Sequence, residues 1–174
     1  MAIQYESVVP WGRNYEEYCS MFDLDQEDFK KRILGCGDGP ANFNSICNRN
    51  GGKVVSLDPI YSLSKEELFE RIAATFDIVM TQTKNNKDRF CWDRIRSIEE
   101  LGTIRMNAMK DFLKTYEEGK QKGEYLCGAL PKLEFCDNSF DIALSSHFLF
   151  LYSHNVSYDF HYQSICEMMR ISRK

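Results

Sequence analysis

Glycines at 35, 37 and 39, with an aspartate between the last two, are the residues of this sequence best placed to do chemistry. They lie in Ile33-Leu34-Gly35-Cys36-Gly37-Asp38-Gly39-Pro40, where a short apolar run enters a turn and Pro40 opens a helix. Glycine allows positive φ and carries no Cβ where a ligand must touch backbone. A strand, a glycine-rich turn and a helix in that order hold the adenosine end of a cofactor in doubly wound α/β folds. The spacing departs from the dinucleotide fingerprint G-x-G-x-x-G, because the third glycine comes one position early and Pro40 stands in the last slot. Pyrophosphate binds a helix N-terminus through backbone N–H groups, and proline has none to give. Asp38 would repel a phosphate but can accept hydrogen bonds from an ammonium group.

A cofactor with adenosine at one end, an amino acid at the other and no phosphate fits these residues. That description is S-adenosylmethionine. Val54-Val55-Ser56-Leu57 reads as a second strand ending at Asp58-Pro59. Asp58 lies about twenty residues past the glycine turn, where an acidic side chain hydrogen-bonds ribose hydroxyls. It equally suits the end of a strand before a proline turn. A later strand, Asp141–Ser146, runs into His147-Phe148-Leu149-Phe150. Residues at the carboxyl end of a central strand face the ligand crevice of an open sheet, which puts Ser145, Ser146 and His147 near the reacting atoms. His147 could take a proton from a hydroxyl or amine nucleophile, or serve as a hydrogen-bonded structural imidazole. With His154 and His161 scattered farther along, the histidines do not form a metal set, and no metal is expected.

Three stretches in this order resemble the class I S-adenosylmethionine-dependent methyltransferases. Ile33–Phe43 and Val54–Tyr61 are similar to that superfamily's first two cofactor-binding motifs. Leu130-Pro131 followed by Phe135-Cys136-Asp137-Asn138-Ser139-Phe140-Asp141 is similar to its entry to the fourth strand. With Pro10-Trp11-Gly12-Arg13 and Ser146–Tyr152, nearly the whole chain resembles a little-characterised bacterial subgroup. The resemblance implies a Rossmann-like α/β fold and methyl transfer to a small-molecule nucleophile. Gly35, Gly37 and Gly39 would admit the methionine end, with Asp38 as ammonium partner. Asp58 and Pro59 would lie at the ribose. Ile60 and Tyr61 would flank the adenine, with Ala129 and Leu130 at its edge and Ser145 and Ser146 also in contact. The family sheet has strand order 3-2-1-4-5-7-6, and this sequence stops where the fifth strand would begin. The expectation is therefore one domain over 1–174, truncated after four strands.

The elements that must position these residues alternate β and α. Asp25 and Asp28 start a short helix reaching Lys31. Gly51-Gly52 ends the helix that follows the glycine turn. Ser64 and Ser97, each with Glu at the third position beyond, mark two helix starts. Leu101 to Tyr116 gives the second of these a core-facing stripe, and Gly119 is its expected stop. About sixty residues thus separate the second strand from the third, Tyr125-Leu126-Cys127, far more than a βαβ crossover needs. The helical insertion, 62–122, is either a lid and substrate wall or a structural brace. The aromatics Tyr5, Trp11, Tyr15, Tyr18 and Phe22 either line a pocket or dock an N-terminal arm. Ser157 caps a last helix.

Bulk properties set bounds. The 174 residues suit one core, and 43% apolar with 28% charged residues is ordinary for a globular protein. A net charge of −4 offers no global basic field for nucleic acid. Lys84, Lys87 and Arg89 beside Phe90 and Trp92 read as a solvated face. Seven cysteines without C-x-x-C spacing argue for free thiols, and no signal peptide or membrane-length apolar run is seen, so the chain reads as cytoplasmic. An open fourth strand would invite a homodimer through that edge. The alternative to an enzyme is accordingly an inactive cofactor-binding or interaction module. A nicotinamide-dependent oxidoreductase is disfavoured by the glycine spacing.

Overall fold

The computed structural model describes residues 9–173. Its centre is a four-stranded parallel sheet. Strand β1 (Arg32–Cys36) leads through helix α2 (Phe43–Arg49) to β2 (Lys53–Leu57), with helix α1 (Tyr15–Phe22) ahead of both. Helices α3 (Lys65–Asn85) and α4 (Ile98–Gln121) precede β3 (Tyr125–Leu126), and β4 (Ile142–Leu144) precedes α5 (Tyr158–Ile171). The strand order is β3-β2-β1-β4. Ile33 pairs with Val54 on one side of β1 and with Ile142 on the other, all in parallel. This is the α/β, Rossmann-like arrangement that the sequence led us to expect.

A parallel sheet is covered on both faces, so its strands are apolar on both. Ile33, Val54 and Ile142 join Tyr18, Phe43 and Cys47 in one cluster. Leu34 and Cys36 join Leu130, Phe140 and Ile171 in another. A third cluster ties the insertion to the sheet: Tyr61, Leu68 and Ile72 meet Phe112, Tyr116 and Tyr125. The Tyr116 hydroxyl donates to the carbonyls of Tyr61 (3.0 Å) and Leu63 (2.9 Å). Helix α4 is therefore built into the core as a brace, and only Ser62, Leu63 and Arg71 of the 62–122 insertion reach the cavity described below.

Local signals decide most helix ends. Ser64 and Glu67 form a reciprocal capping box, and Ser157 accepts from the Phe160 N–H. Ser97 accepts from the Glu100 N–H, while the Glu100 carboxylate takes the N–H of Arg96. Four expectations are corrected. Helix α1 lies where only an aromatic arm was read; Asn14 and Glu17 close a capping box there. Asp25 and Asp28 start no α-helix, only the 3-10 turn Asp28–Lys30. Pro40 sits in a turn, and α2 begins three residues later at Phe43. Gly119 is not a stop: α4 passes through it to Gln121, because a Cβ there would lie 2.6 Å from the Tyr125 ring. Gly123, at φ +74°, ends the helix instead. Tyr5 lies outside the described residues.

The outer edge of β4 is occupied at its entry. The Asn138 N–H donates to Arg170 O (3.0 Å) and the Phe140 N–H to Ile171 O (2.9 Å), and Phe140 bridges Ser172 in parallel. Among the described residues no helix is long and apolar enough to cross a membrane. All seven cysteines are unbridged.

Candidate functional site

The glycine turn is held by β2. Gly37 and Gly39 adopt φ of +70° and +56°, the left-handed region that glycine enters without cost. The Gly37 N–H donates to Leu57 O (2.8 Å). Gly39 is gripped at both polar groups: its N–H donates to Asp58 Oδ2 (2.9 Å), and its carbonyl accepts from the Tyr61 hydroxyl (2.7 Å). Asp58 Oδ1 also accepts from the Ile60 N–H (3.0 Å).

This turn opens on a cavity of about 360 Å³. Gly37, Gly39 and Asp58 line it, together with the apolar Leu57, Pro59 and Ile60. Gly128, packed against Leu57, lines it with Ala129 and Leu130, as do Pro10 and Trp11. His147, Phe148 and Tyr152 come from the segment after β4, and Arg71 from α3. Of the predicted site residues, the structure thus brings together Gly37, Gly39, Asp58, Pro59, Ile60, Ala129, Leu130 and His147. Among the N-terminal aromatics, Trp11 lines the cavity, while Tyr18 stacks on Phe43 in the core at 4.5 Å.

Five predicted residues stand behind the cavity wall. Asp38 turns inward, fully buried, and cannot meet a ligand ammonium. Its Oδ1 accepts from the Tyr18 hydroxyl (2.7 Å) and its Oδ2 from the Ser56 hydroxyl (2.6 Å). Gly35 makes room for this carboxyl, since a Cβ there would overlap Asp38 Oδ2. Tyr61 is buried under the turn it clamps and so cannot flank an adenine. Ser145 and Ser146 do not line the cavity; among the described residues the Ser145 hydroxyl is buried without a partner, and Ser146 contacts His147.

Burial sets the electrostatics. Loss of water pushes the Asp38 carboxyl up to about 6, against the pull of its two hydroxyl donors. Asp58 is also raised by burial, and the positive charge of Arg71 opposes the shift. Burial, then the positive charges of Arg13 and Arg105, lower His147 to about 4. The ring is therefore neutral at pH 7, with Nδ1 2.8 Å from the Ser146 hydroxyl. His161, on α5, is buried against Phe150, and among the described residues both its ring nitrogens lack a partner.

The contacts of Tyr18 and Ser56 with Asp38 were missed from sequence, as was Arg71 altogether. No local pattern marks the first two, whose importance comes only from reaching Asp38 across 20 and 18 positions. Arg71 sits at a helical position one residue before the core residue Ile72 and carries no motif.

No family model matches the chain, and no solved structure matches it. The uncharacterized protein MJ0045 of Methanocaldococcus jannaschii is 31% identical to it over 173 residues, which cover 99% of this chain and 77% of that protein. This relative is archaeal, where the sequence resemblance had suggested a bacterial subgroup. With that identity held over nearly its full length, the chain belongs to the family of MJ0045.

Proposed function

We propose that the cavity binds S-adenosylmethionine and that the protein transfers its methyl group to an oxygen, nitrogen or carbon nucleophile of a small molecule. One observation carries this reading: the glycine turn after β1 and Asp58 at the end of β2 open together on one largely apolar cavity at the carboxyl edge of a parallel sheet. Its volume of about 360 Å³ lies within the range of small-molecule sites.

The residues present suit the adenosine end. Asp58 donates nothing and accepts from two N–H groups, so its carboxylate keeps lone pairs for two ribose hydroxyls. Ile60 and Leu130 offer the apolar faces an adenine ring needs. When bound, S-adenosylmethionine supplies an electrophilic methyl group on a sulfonium whose leaving sulfur needs no proton. The protein must then orient the nucleophile, exclude water and remove one proton. An oxygen or nitrogen that gains a methyl becomes strongly acidic at its remaining proton. A weak base suffices to receive it, and neutral His147 is the imidazole on this cavity. A cytoplasmic setting accords with seven unbridged thiols.

Calorimetric titration with S-adenosylhomocysteine tests the proposal. Saturable binding, weakened about tenfold or more when a bulky Ala129→Trp fills the wall, is the expected result. No heat at millimolar ligand, or binding of a nicotinamide dinucleotide instead, would overturn it.

A further inference from the structure

Helix α5 has two apolar sides, and the core covers only one. On the inner side Ile171 is buried, and Phe160 and Met168 pack with it against Leu34 and Cys36 of β1. The outer side holds Tyr158, Tyr162, Ile165 and Met169, which are 81%, 60%, 39% and 71% exposed. Steps of four, three and four residues place them within an arc of about 60°, along about 17 Å of helix. Phe150 widens this strip: it is 63% exposed, and its ring stacks on His161 of the same helix at 5.1 Å. Single exposed apolar residues are ordinary, whereas large ones gathered on one side mark a surface that docks.

Spacing and charge together identify the occupant. Alternate steps of four and three are the seam of paired helices, in which each apolar residue seats against a facing helix. Helix α5 has acidic Asp159 in its first turn and basic Arg170 in its last. Antiparallel pairing with the same helix of a second copy sets each end against its opposite, in side-chain charge and in helix dipole alike. Parallel pairing would set like against like. We propose that this chain forms a two-fold dimer through α5, antiparallel, with Tyr158 against the partner's Met169 and Tyr162 against the partner's Ile165.

The strip is its own complement under a two-fold axis between Tyr162 and Ile165, as an isologous interface requires. The thioether of Met169 against a tyrosine ring is a favourable contact. Arg170 already bonds Glu167 and Asp137, so Asp159 orients the pair while the apolar strip supplies most of the affinity. A lipid surface fits less well, because helices that lie on membranes are rich in Lys and Arg, and α5 carries one Arg beside Asp159 and Glu167. This surface is distinct from the outer edge of β4, and the proposal does not depend on what the cavity binds.

Sedimentation velocity of the full chain at tens of micromolar, without ligand, tests it. The expected species has about twice the 20.4 kDa mass of one chain. Tyr162→Glu puts a charge at the centre of the strip and should raise the dissociation constant about tenfold or more. Met169→Glu, at a still more exposed position, should act alike, so that the test survives a variant that folds poorly. Asp159→Lys should raise the constant about threefold, because it sets cation beside cation. Phe69→Glu, at an exposed apolar residue of α3, should leave it unchanged. A wild-type monomer overturns the proposal. So does a dimer indifferent to both glutamate variants on α5, which would place the contact at the β4 edge or another face. A monomer that binds vesicles of phosphatidylserine and phosphatidylcholine, and loses them with Tyr162→Glu, would assign the strip to a membrane instead.

Discussion

Two glycines four positions apart are demanded for unlike reasons. Gly39 needs a left-handed backbone, yet a Cβ there would meet nothing within 4 Å. Gly35 needs space, because its missing Cβ is where the Asp38 carboxyl lies. Gly39→Ala is therefore expected to cost about 1 kcal/mol of backbone strain. Gly35→Ala should cost about 3 kcal/mol, since it must expel a buried carboxyl from its hydroxyl donors. Urea unfolding midpoints of the two variants check the ranking. A sequence shows that glycines are present but not which of these demands each one meets. For the same reason Asp38 read as a ligand contact: which way its side chain turns is settled by Tyr18 and Ser56, which are distant in sequence.

Helices α1 and α4 are joined by charge. Arg105 of α4, 4% exposed, makes a two-pronged ion pair with Glu17 of α1, which also takes the N–H of Asn14 and one nitrogen of Arg13. Removing one partner of a buried pair strands the other. Glu17→Gln keeps the capping-box geometry but leaves Arg105 buried without a counter-charge, so a loss of about 3 kcal/mol is expected. Arg105→Met should cost less, as Glu17 retains Arg13 and partial exposure. Equal losses in thermal or urea unfolding would contradict this account. Capping boxes at Ser64 and the caps at Ser97 and Ser157 were legible because all their partners lie within one turn. The box at Asn14 is just as local, but aromatics that read as a docking arm obscured it. Gly119 was misread because its neighbour Tyr125 comes from the next strand, a contact no helical pattern records.

At the scale of the whole molecule, buried Asp38 and half-buried His147 pull stability in opposite directions with pH. Asp38, raised from 3.8 to about 6, binds more proton folded than unfolded, so its contribution falls as pH rises through that interval. His147, lowered from 6.5 to about 4, binds less proton folded than unfolded, so its contribution grows as pH rises through nearly the same interval. Each is on the order of 3 kcal/mol. Asp38→Asn is expected to make stability climb more steeply from pH 4.5 to 6, and His147→Asn to make it climb less or fall. Urea midpoints at the two pH values decide, and unchanged slopes would refute the assignment. The sheet order was legible only through the family resemblance, whereas the glycine turn and Asp58 were legible because turn, strand and aspartate are local and ordered. The segment after β4 was legible only in part, because its folding depends on what lies beneath it. There Phe148 sits over Gly37, so that a Cβ on that glycine would be 2.7 Å from the Phe148 Cβ. The close approach that glycine permits is already used by the protein's own aromatic ring. A ligand that approaches Gly37 along its missing side chain must first displace that ring. Its apparent affinity is then the intrinsic affinity scaled by the fraction of molecules in which Phe148 has swung away.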